Sequence, residues 1–397
     1  MQRAEIARQY ENKAYMQSQK HKISVIVITY NQKDTIATCL ESILKLNNDN
    51  YEVIVIDDCS QDGTAEIAER FPCQLIKLDK HRGAAFARNR GAEQASGNIL
   101  FFLDSDVIAA NNALSEILKM LQDHPAAQAV QGRYLQESVP KNIVTQYKDY
   151  FNNYKSQWIE SDCVNIIATY CFAIRRQAFF EAGGFDAKIP GATVEDNDLG
   201  YRLFESGNLV VLNRNLTVTH LKRYSLKSLL KRAYIVSFNM VKFFLRIRFT
   251  KQRKNASRNF SYIRPPQELM AGSVFRPSLP AGQAGNPGFK PEGAPFIPLS
   301  SGKKTNLYLA MSLVLSFVIF SFGIYTFLNF KMHYLALFLS LMLVFILINL
   351  KYLLLLSKIK GWRFCSAWIG IFYLDMLFAF FGLLHGGVDF FIFQRKY

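Results

Sequence analysis

Short apolar runs that alternate with helical patterns most constrain the fold of the first hundred residues. Four such runs occur, at 23–29, 51–56, 74–78 and 98–103. Stretches with the helical spacing of apolar residues lie between them, as in Ile36, Leu40 and Ile43 after the first run. Strands that alternate with helices of this length favour right-handed crossovers and a parallel sheet. The predicted fold class is therefore α/β, with a mostly parallel sheet.

The fourth run ends in two acids at alternate positions, Asp104 and Asp106. Ligands of open α/β sheets bind just beyond the carboxyl ends of the strands. Two carboxylates at that place suit a hard divalent cation that carries phosphate oxygens. Asp-Ser-Asp is also common turn chemistry, so a surface turn is the alternative for this motif alone.

Past Asp106 the pattern is less regular but still mixes helices with strands. It predicts helices at 112–121, 142–158 and 196–205, and strands at 128–134, 165–174, 209–212 and 216–219. The last of these strands leads to His220.

The positive charge of the chain is concentrated in one stretch. Lys and Arg total 47 against 31 Asp and Glu, which gives a formal net charge of +16. No Asp or Glu occurs between Lys222 and Arg264. Such an excess suits nucleic acid or an anionic membrane surface. Because this stretch lies between the sheet-like half and a very apolar C-terminus, a membrane surface is favoured as the partner and nucleic acid is disfavoured.

The C-terminal part is predicted to attach the chain to a membrane. Residues 226–249 form a basic amphipathic pattern, typical of a helix in the membrane interface, with an ordinary surface helix as the alternative. Apolar segments follow at 306–330, 334–356 and 368–384. The first two are long enough to span about 30 Å of hydrocarbon, whereas the third is shorter and carries Asp375.

Flanking basic residues predict the orientation of these segments. Lysines precede the first segment. Lys351 lies near the end of the second segment and Lys358, Lys360 and Arg363 follow it, whereas only Lys331 lies in the first hairpin. The positive-inside rule then places the sheet domain in the cytoplasm. Arg395 and Lys396 run against this rule if the third segment crosses fully.

Two other classes of protein are disfavoured. The six cysteines are scattered without a CxxC pair, so neither a zinc site nor a disulfide framework is indicated. The segment at 1–21 is polar and has no apolar core of the kind that a signal peptide requires.

Six short motifs follow one another between residues 26 and 199. They are Ile26-Val-Ile-Thr-Tyr-Asn31, Val55-Ile-Asp-Asp-Cys-Ser-Gln-Asp-Gly-Thr64, Gly83-Ala-Ala-Phe-Ala-Arg-Asn-Arg-Gly91, Phe101-Phe-Leu-Asp-Ser-Asp106, Gly183-Gly-Phe-Asp186 and Glu195-Asp-Asn-Asp-Leu199. Each is weak evidence alone, but the six in this order and spacing are specific. Over about residues 22–222 the chain resembles the family 2 glycosyltransferases of the GT-A fold, in their bacterial membrane-attached form. The resemblance implies a Rossmann-like catalytic domain and a multi-pass location in a bacterial-type inner membrane.

The resemblance implies nucleotide-binding roles for residues at the strand ends. Asp58 would accept the N3–H of uracil or a similar base, and Thr29, Tyr30 and Asn31 would form the other wall of the base site. Gly83 opens a predicted helix, whose free N–H groups and dipole favour phosphate nearby. Arg88, one turn further on, could add a charge-assisted contact to the nucleotide or could simply be solvated.

The same resemblance makes Asp104 and Asp106 the element that binds Mg²⁺ or Mn²⁺. Asp106 would be a direct ligand, and Asp104 would face the metal's water shell or the ribose. His220 is a further candidate ligand, with a structural histidine as the alternative. Sugar transfer also requires a base for the acceptor hydroxyl. Asp196 matches the family's base, although acids here could also cap the following helix.

One departure from the family bears on the product. Processive members carry a Gln-x-x-Arg-Trp signature, but the nearest stretch here, 229–234, lacks both the Gln and the Trp. The predicted function is a non-processive, inverting, metal-dependent transfer from a nucleotide sugar, with a lean to UDP, onto a lipid-linked or membrane-associated acceptor. The main alternative is a polyprenyl-phosphate sugar synthase. A processive polysaccharide synthase and a non-catalytic membrane scaffold are less favoured.

These observations predict five consecutive regions. They are a polar segment at 1–21, a glycosyltransferase domain at 22–222, a basic interfacial region at 223–264, a Pro- and Gly-rich linker at 265–304 and a membrane domain at 305–397.

Overall fold

The structure, a computed structural model, describes residues 22–135, 142–157, 163–164, 167–252, 303–329 and 332–392. The predicted polar segment and nearly all of the predicted linker lie outside these ranges. The described residues fall into two compact units. The first holds those up to 135 and between 163 and 221, and the second holds 142–157, 222–252 and those from 303 onward. The helix predicted at 142–158 thus groups with the second unit rather than with the sheet.

The first unit is built on one sheet of eight strands. These are β1 Ile23–Thr29, β2 Tyr51–Asp57, β3 Gln74–Lys77, β4 Ile99–Asp104, β5 Val107–Ala109, β6 Ala127–Tyr134, β7 Cys171–Arg175 and β8 Leu209–His220. Their order across the sheet is β3-β2-β1-β4-β7-β6-β8-β5. The first four are parallel, β7 is antiparallel to both β4 and β6, β6 and β8 are parallel, and β5 is antiparallel to β8. The predicted α/β class is therefore confirmed, with reversed strands in the second half of the sheet.

Helices cover the sheet or form the second unit. In chain order they are α1 Ile36–Ile43, α2 Thr64–Ala68, α3 Ala84–Gln94, α4 Ala113–Asp123, α5 Ile143–Gln157, α6 Arg176–Glu181, α7 Glu195–Glu205, α8 Leu226–Gln252, α9 Lys303–Leu328, α10 Met332–Ile348, α11 Leu350–Lys360 and α12 Trp362–Phe391. Helices α1–α4, α6 and α7 belong to the first unit, and the others belong to the second.

Both faces of the sheet are buried, which explains why its strands are continuous apolar runs rather than alternating ones. In β1, Val25 and Val27 lie in one core cluster, whereas Ile26 lies in the other. The backbone of α3 comes very close to the second face, because a Cβ atom at Gly91 would lie 2.4 Å from Ile26 Cγ2. The glycine of this motif therefore allows α3 to dock on β1.

Several predicted boundaries in the second half of the sheet are wrong. The strands predicted at 209–212 and 216–219 are one strand, β8, which has two exposed polar residues, Arg214 and Asn215, in its middle. Those polar residues mimic a loop in the sequence, although β8 stays paired with β6 across a register shift. The strand predicted at 165–174 starts only at Cys171, and the short elements β5 and α6 were not predicted.

The second unit contains the apolar C-terminal helices. By length and composition, Ala310–Leu328 and Trp362–Phe391 are candidate membrane spans, and α10 with α11 would be a third if the bent pair is one span. The span predicted at 334–356 is broken by a bend of 69°. At the break, the side chain of Asn349 donates to Phe345 O at 2.8 Å and to Ser312 Oγ at 3.1 Å. The segment predicted to be shortest, 368–384, is instead the core of the 30-residue helix α12.

Within the second unit, α8 packs closely against α12. A Cβ atom at Gly382 would lie 2.2 Å from Tyr234 O, and one at Gly386 would lie 2.4 Å from Phe238 O. Lys242 is buried here, and its Nζ lies 2.8 Å from Asp389 Oδ2. Lys242 belongs to the predicted basic amphipathic pattern at 226–249, but it is buried and paired rather than on an open face. The interfacial location of α8 stays a prediction.

Candidate active site

The carboxyl ends of three neighbouring parallel strands bring most of the predicted nucleotide residues together. In the register of the sheet, Thr29 at the end of β1 lies opposite Asp57 of β2, and its neighbour Ile28 lies opposite Asp104 of β4. Asp58 follows β2, and its N–H donates to Thr29 O at 2.9 Å. Residues from three separate motifs thus share one edge of the sheet, where α/β folds bind ligands.

The carboxylate of Asp58 holds the loop that leads into α3. Its Oδ1 accepts the N–H of Arg82 at 2.7 Å, and its Oδ2 accepts the N–H of Gly83 at 2.8 Å. The Nδ1 atom of His81 lies 2.9 Å from the same Oδ2. Because a carboxylate offers about four lone-pair positions, Asp58 can accept one further donor. Gly83 itself has φ 90°, a left-handed backbone that favours glycine at the start of this helix.

An aromatic surface lies beside Asp58. Tyr30 is 42% exposed, and its ring stacks on the imidazole of His81, with 4.1 Å between the ring centroids. Asn31 has φ 52°, and its Oδ1 accepts the N–H of Gln61 at 2.8 Å, which ties the turns after β1 and β2 together. His81 was not predicted as a site residue, because it belongs to no motif and reaches Asp58 only through the loop before α3.

Two buried polar atoms at this edge have no hydrogen-bond partner among the described residues. They are Thr29 Oγ1 and Asp57 Oδ1, whose residues face each other across β1 and β2 and are each 2% exposed. Buried polar atoms are normally paired with protein or water. These two atoms are therefore candidates for a hydrogen bond to an ordered water or to a polar group that binds at this edge.

The acidic pair at the end of β4, Asp104 and Asp106, lies next to His220. The side chain of Asp104 is 33% exposed, and that of Asp106 is 9% exposed. Strand β5 folds back onto β8, with Val107 opposite His220, and this places His220 Nε2 at 3.8 Å from Asp106 Oδ2. Burial raises the pKa of Asp104, while Arg88 lowers it and the nearby charge of Asp106 raises it further.

These residues fit a divalent cation that draws further ligands from a substrate. Among the described residues, no group of three or more His, Cys, Asp or Glu side chains is placed to hold an ion alone. Magnesium typically takes one or two carboxylates and completes its shell with water and phosphate oxygens. Two carboxylates whose charges repel each other, with an imidazole beside them, have the donor chemistry for such an ion.

Arg88 connects the acidic pair with the start of α7. It is buried, and its guanidinium donates to Asp104 Oδ1 at 3.0 Å and to Glu195 Oε1 at 2.8 Å. The solvated-arginine alternative for Arg88 is therefore wrong, whereas direct contact with a nucleotide stays a prediction. Glu195, which the sequence suggested only as a helix cap, is a partner of Arg88 and was missed because the two lie 107 residues apart.

Asp196, the predicted base, occupies the first turn of α7. Its Oδ1 accepts the backbone N–H of Asn197 at 2.8 Å and the side-chain amide of the same residue at 2.9 Å. The pKa of Asp196 is raised to about 8, mainly by burial and then by the negative charge of Glu195, while the positive charge of Arg88 lowers it in part. A carboxyl group with a pKa close to neutral suits proton transfer. Asp198, in the same turn, instead pairs with Arg202 at 2.8 Å.

Known proteins show which family these residues resemble. Residues 24–184 match the family model of glycosyl transferase family 2. An uncharacterized glycosyltransferase of Haemophilus influenzae is 26% identical over 220 residues, which cover 52% of this chain and 71% of that protein. The poly-β-1,6-N-acetyl-D-glucosamine synthase of Staphylococcus aureus is 28% identical over 193 residues, which cover 47% of this chain and 46% of that protein. The chain therefore contains a glycosyl transferase family 2 domain. It spans about half or less of the length of most of the curated relatives that it matches.

A solved structure supports the GT-A fold. A mannosyltransferase from Pyrobaculum calidifontis, in complex with GDP-Man and Mn²⁺, matches 92% of this chain with a TM-score of 0.53. The match covers 87% of that protein, and the two sequences are 18% identical. At this identity the likeness concerns the fold, and it confirms the fold class that the motifs implied.

Proposed function

We propose that this glycosyltransferase moves one sugar, with inversion, from a nucleotide-sugar donor to an acceptor held at a membrane. The observation that carries the proposal is the meeting, in one place, of the acidic pair after β4 and a carboxyl group of raised pKa at the start of α7. Arg88 hydrogen-bonds both elements. A donor site and a base site within reach of each other are the two parts that a single-displacement transfer needs.

The nucleotide would bind across the ends of β1 and β2. The exposed face of Tyr30 offers a stacking surface, and Asp58 offers an acceptor for a ring N–H of the base. Thr29 and Asn31 would complete the wall of this pocket. Uracil, with a single N3–H between two carbonyls, suits one open acceptor position, so UDP is the favoured carrier. The P. calidifontis mannosyltransferase binds a guanine nucleotide, and GDP is therefore the control nucleotide.

The diphosphate would lie over Asp104 and Asp106, near the start of α3. A Mg²⁺ or Mn²⁺ ion held by Asp106, with Asp104 and His220 as further candidate ligands, would neutralise the charge that develops on the leaving nucleotide. Asp196 would take the proton of the acceptor hydroxyl as that oxygen attacks the anomeric carbon. One base and one displacement give inversion at that carbon.

The acceptor is proposed to be lipid-linked, or otherwise held at the cytoplasmic face of an inner membrane. Two C-terminal helices are long and apolar enough to cross a bilayer. The acid-free stretch between Lys222 and Arg264 would favour anionic lipid. A synthase that transfers the sugar to polyprenyl phosphate is the alternative, because a phosphate acceptor is already ionised and requires little help from a base.

A donor screen with the full chain in detergent tests the proposal. UDP and GDP sugars are incubated with Mn²⁺ and a membrane lipid extract, and released nucleotide and labelled lipid are measured. We expect turnover with one donor class and its loss in Asp106→Ala, together with loss of Mn²⁺-dependent nucleotide binding in calorimetry. Asp123→Ala, at an exposed acid that ends α4, is the matched control and should behave as wild type. Unchanged titration of the Asp106 variant would refute the metal role.

A further inference from the structure

Arg88 supports the acidic pair from inside the protein. Its side chain and that of Glu195 are 4% and 3% exposed, whereas that of Asp104 is 33% exposed. The guanidinium therefore binds the buried side of the Asp104 carboxylate and leaves its exposed part to the donor site. A planar guanidinium can direct separate N–H groups at two carboxylates at once, which the single ammonium of lysine does less well.

The arginine and its partner Glu195 are held in place by other contacts. The Cζ atom of Arg88 lies 5.6 Å from the centroid of the Phe185 ring. The next residue, Asn89, exchanges two hydrogen bonds with the backbone of Phe185, at 2.8 and 2.9 Å. On the other side, Glu195 Oε2 accepts the N–H of Thr193 at 2.7 Å. Such a network fixes the position of the guanidinium, whereas the guanidinium of a solvated surface arginine would be free to move.

We propose that Arg88 is a positioning residue that sets the separation between the donor-side carboxylate and the base, and so aligns the sugar with the acceptor. The inference rests on the proposed function. Asp104 closes one side of the reaction space, and Glu195 directly precedes Asp196 on the other. These two segments come from distant parts of the chain, and a hydrogen-bonded arginine between them makes their spacing independent of the bound substrate.

The charge of Arg88 has a second effect on the site. Four carboxylates, those of Asp104, Asp106, Glu195 and Asp196, lie in this region, and Arg88 neutralises part of their charge. It favours the ionised form of Asp196, because its positive charge lowers the pKa that burial and Glu195 raise. Two substitutions can therefore separate the effect of the hydrogen-bond geometry of Arg88 from the effect of its charge. Lysine keeps the positive charge but loses the geometry, and methionine loses both.

The test compares Arg88→Lys and Arg88→Met in the full chain. We expect a loss of kcat of about 100-fold in both, as is typical when reacting groups are misplaced by about 1 Å. The affinity for UDP with Mn²⁺, measured by calorimetry, should weaken by several-fold, because Asp104 loses its support. The pH at which kcat/KM reaches half its plateau should rise in Arg88→Met and stay close to wild type in Arg88→Lys.

Arg202→Lys is the matched control. Arg202 is a second buried arginine, pairs with Asp198 of the same helix α7 and donates to the backbone carbonyls of Ala182 and Gly184. Its substitution should lower the thermal midpoint as much as Arg88→Lys does. It should leave the UDP affinity and the pH profile unchanged. Among the described hydrogen bonds, Arg202 contacts the two acidic motifs only through Asp198.

The outcomes separate this inference from the proposed function. Wild-type protein that binds neither UDP nor GDP in the presence of Mn²⁺ would overturn both. If wild type binds one of them, folded Arg88→Lys and Arg88→Met proteins with wild-type affinity, kcat and pH profile would overturn the inference alone. If Arg88→Met does not fold, Arg88→Lys decides, and a kcat equal to that of Arg202→Lys would overturn the positioning role.

Discussion

At the amino ends of β1 and β2, Glu52 accepts hydrogen bonds from Ser24, Ser96 and Lys22 at distances of 2.6 to 3.2 Å. At the carboxyl end of the same sheet, Asp196 accepts hydrogen bonds only from its neighbour Asn197 among the described contacts. Burial raises the pKa of both carboxyl groups. At Glu52 the donors outweigh burial and lower the pKa to about 2, whereas at Asp196 the pKa rises to about 8.

This difference separates an acid that stabilises the fold from one that is available for chemistry. The donors around Glu52 are satisfied inside the protein, and they connect the starts of β1, β2 and β4 through Gly97, whose N–H lies 3.2 Å from Glu52 Oε1. At the other end, the negative charges of Asp104 and Asp196 are offset only in part by Arg88, so these two acids remain able to bind a cation or a proton.

The largest effect is expected for Asp196→Asn. The amide keeps the shape of the side chain but cannot accept the acceptor's proton, and general bases typically contribute 10²- to 10⁴-fold. We expect kcat with a hydroxyl acceptor to fall by about 1,000-fold, while calorimetry shows unchanged binding of the donor nucleotide. Full transfer by this variant to a hydroxyl acceptor would refute the base assignment.

The same variant distinguishes the acceptor classes. If Asp196→Asn keeps its activity on polyprenyl phosphate and loses it on hydroxyl acceptors, the synthase alternative is favoured. Asp198→Asn is the control, because Asp198 lies in the same turn and pairs with Arg202. That substitution should lower stability without changing the acceptor preference.

The next largest effect is expected for pH, which should change kcat/KM of the wild-type protein by about tenfold per pH unit below the pKa of Asp196. A base with a raised pKa is protonated below that pKa, so activity must rise with pH. With Mg²⁺ in the assay, kcat/KM should increase with a slope of one up to about pH 8, which is the pKa of Asp196 in the free enzyme. A flat profile between pH 6 and 8 would contradict this assignment.

The sequence predicted the first half of the fold well, because β1 to β4 are buried on both faces and end in motifs. It was less accurate where local pattern and tertiary pairing disagree. Strand β8 contains exposed Arg214 and Asn215 and so resembles two strands, and β5 is only three residues long. Pairing with β6 keeps β8 a single strand, and pairing with the His220 end of β8 makes β5 a strand. Neither pairing can be seen in the local sequence pattern.

For the site, the sequence predicted which residues end the strands but not what they contact. Asp104 and Asp106 were predicted from their place at the end of β4, and Asp58 from its place after β2. The hydrogen bonds of Arg88 to Asp104 and Glu195, and the stacking of His81 on Tyr30, depend on side-chain positions that spacing does not reveal. The acids were therefore predictable, whereas the groups that compensate them required the structure.

A moderate effect on stability is expected for Glu52→Gln. Hydrogen bonds to a charged group contribute about 1.5–3 kcal/mol, and partial exposure reduces this to about 1–2 kcal/mol here. The thermal midpoint at pH 7 should fall by a few degrees. Because the pKa of Glu52 is lowered, its contribution is present above about pH 4.5 and is lost as the pH falls toward 2. The difference in midpoint between wild type and variant should therefore shrink over that range, with kcat unchanged at pH 7.

The smallest effect is expected for Glu69→Gln, which breaks a shorter ion pair than any at the site. Lys77 Nζ lies 2.6 Å from Glu69 Oε1, but the two side chains are 48% and 52% exposed. Water and salt screen such a pair, and exposed pairs typically contribute little to stability. We expect no measurable change in the thermal midpoint at 0.15 M salt. A decrease as large as that of Glu52→Gln would mean that distance, rather than burial and the number of donors, decides what a carboxylate contributes in this sheet.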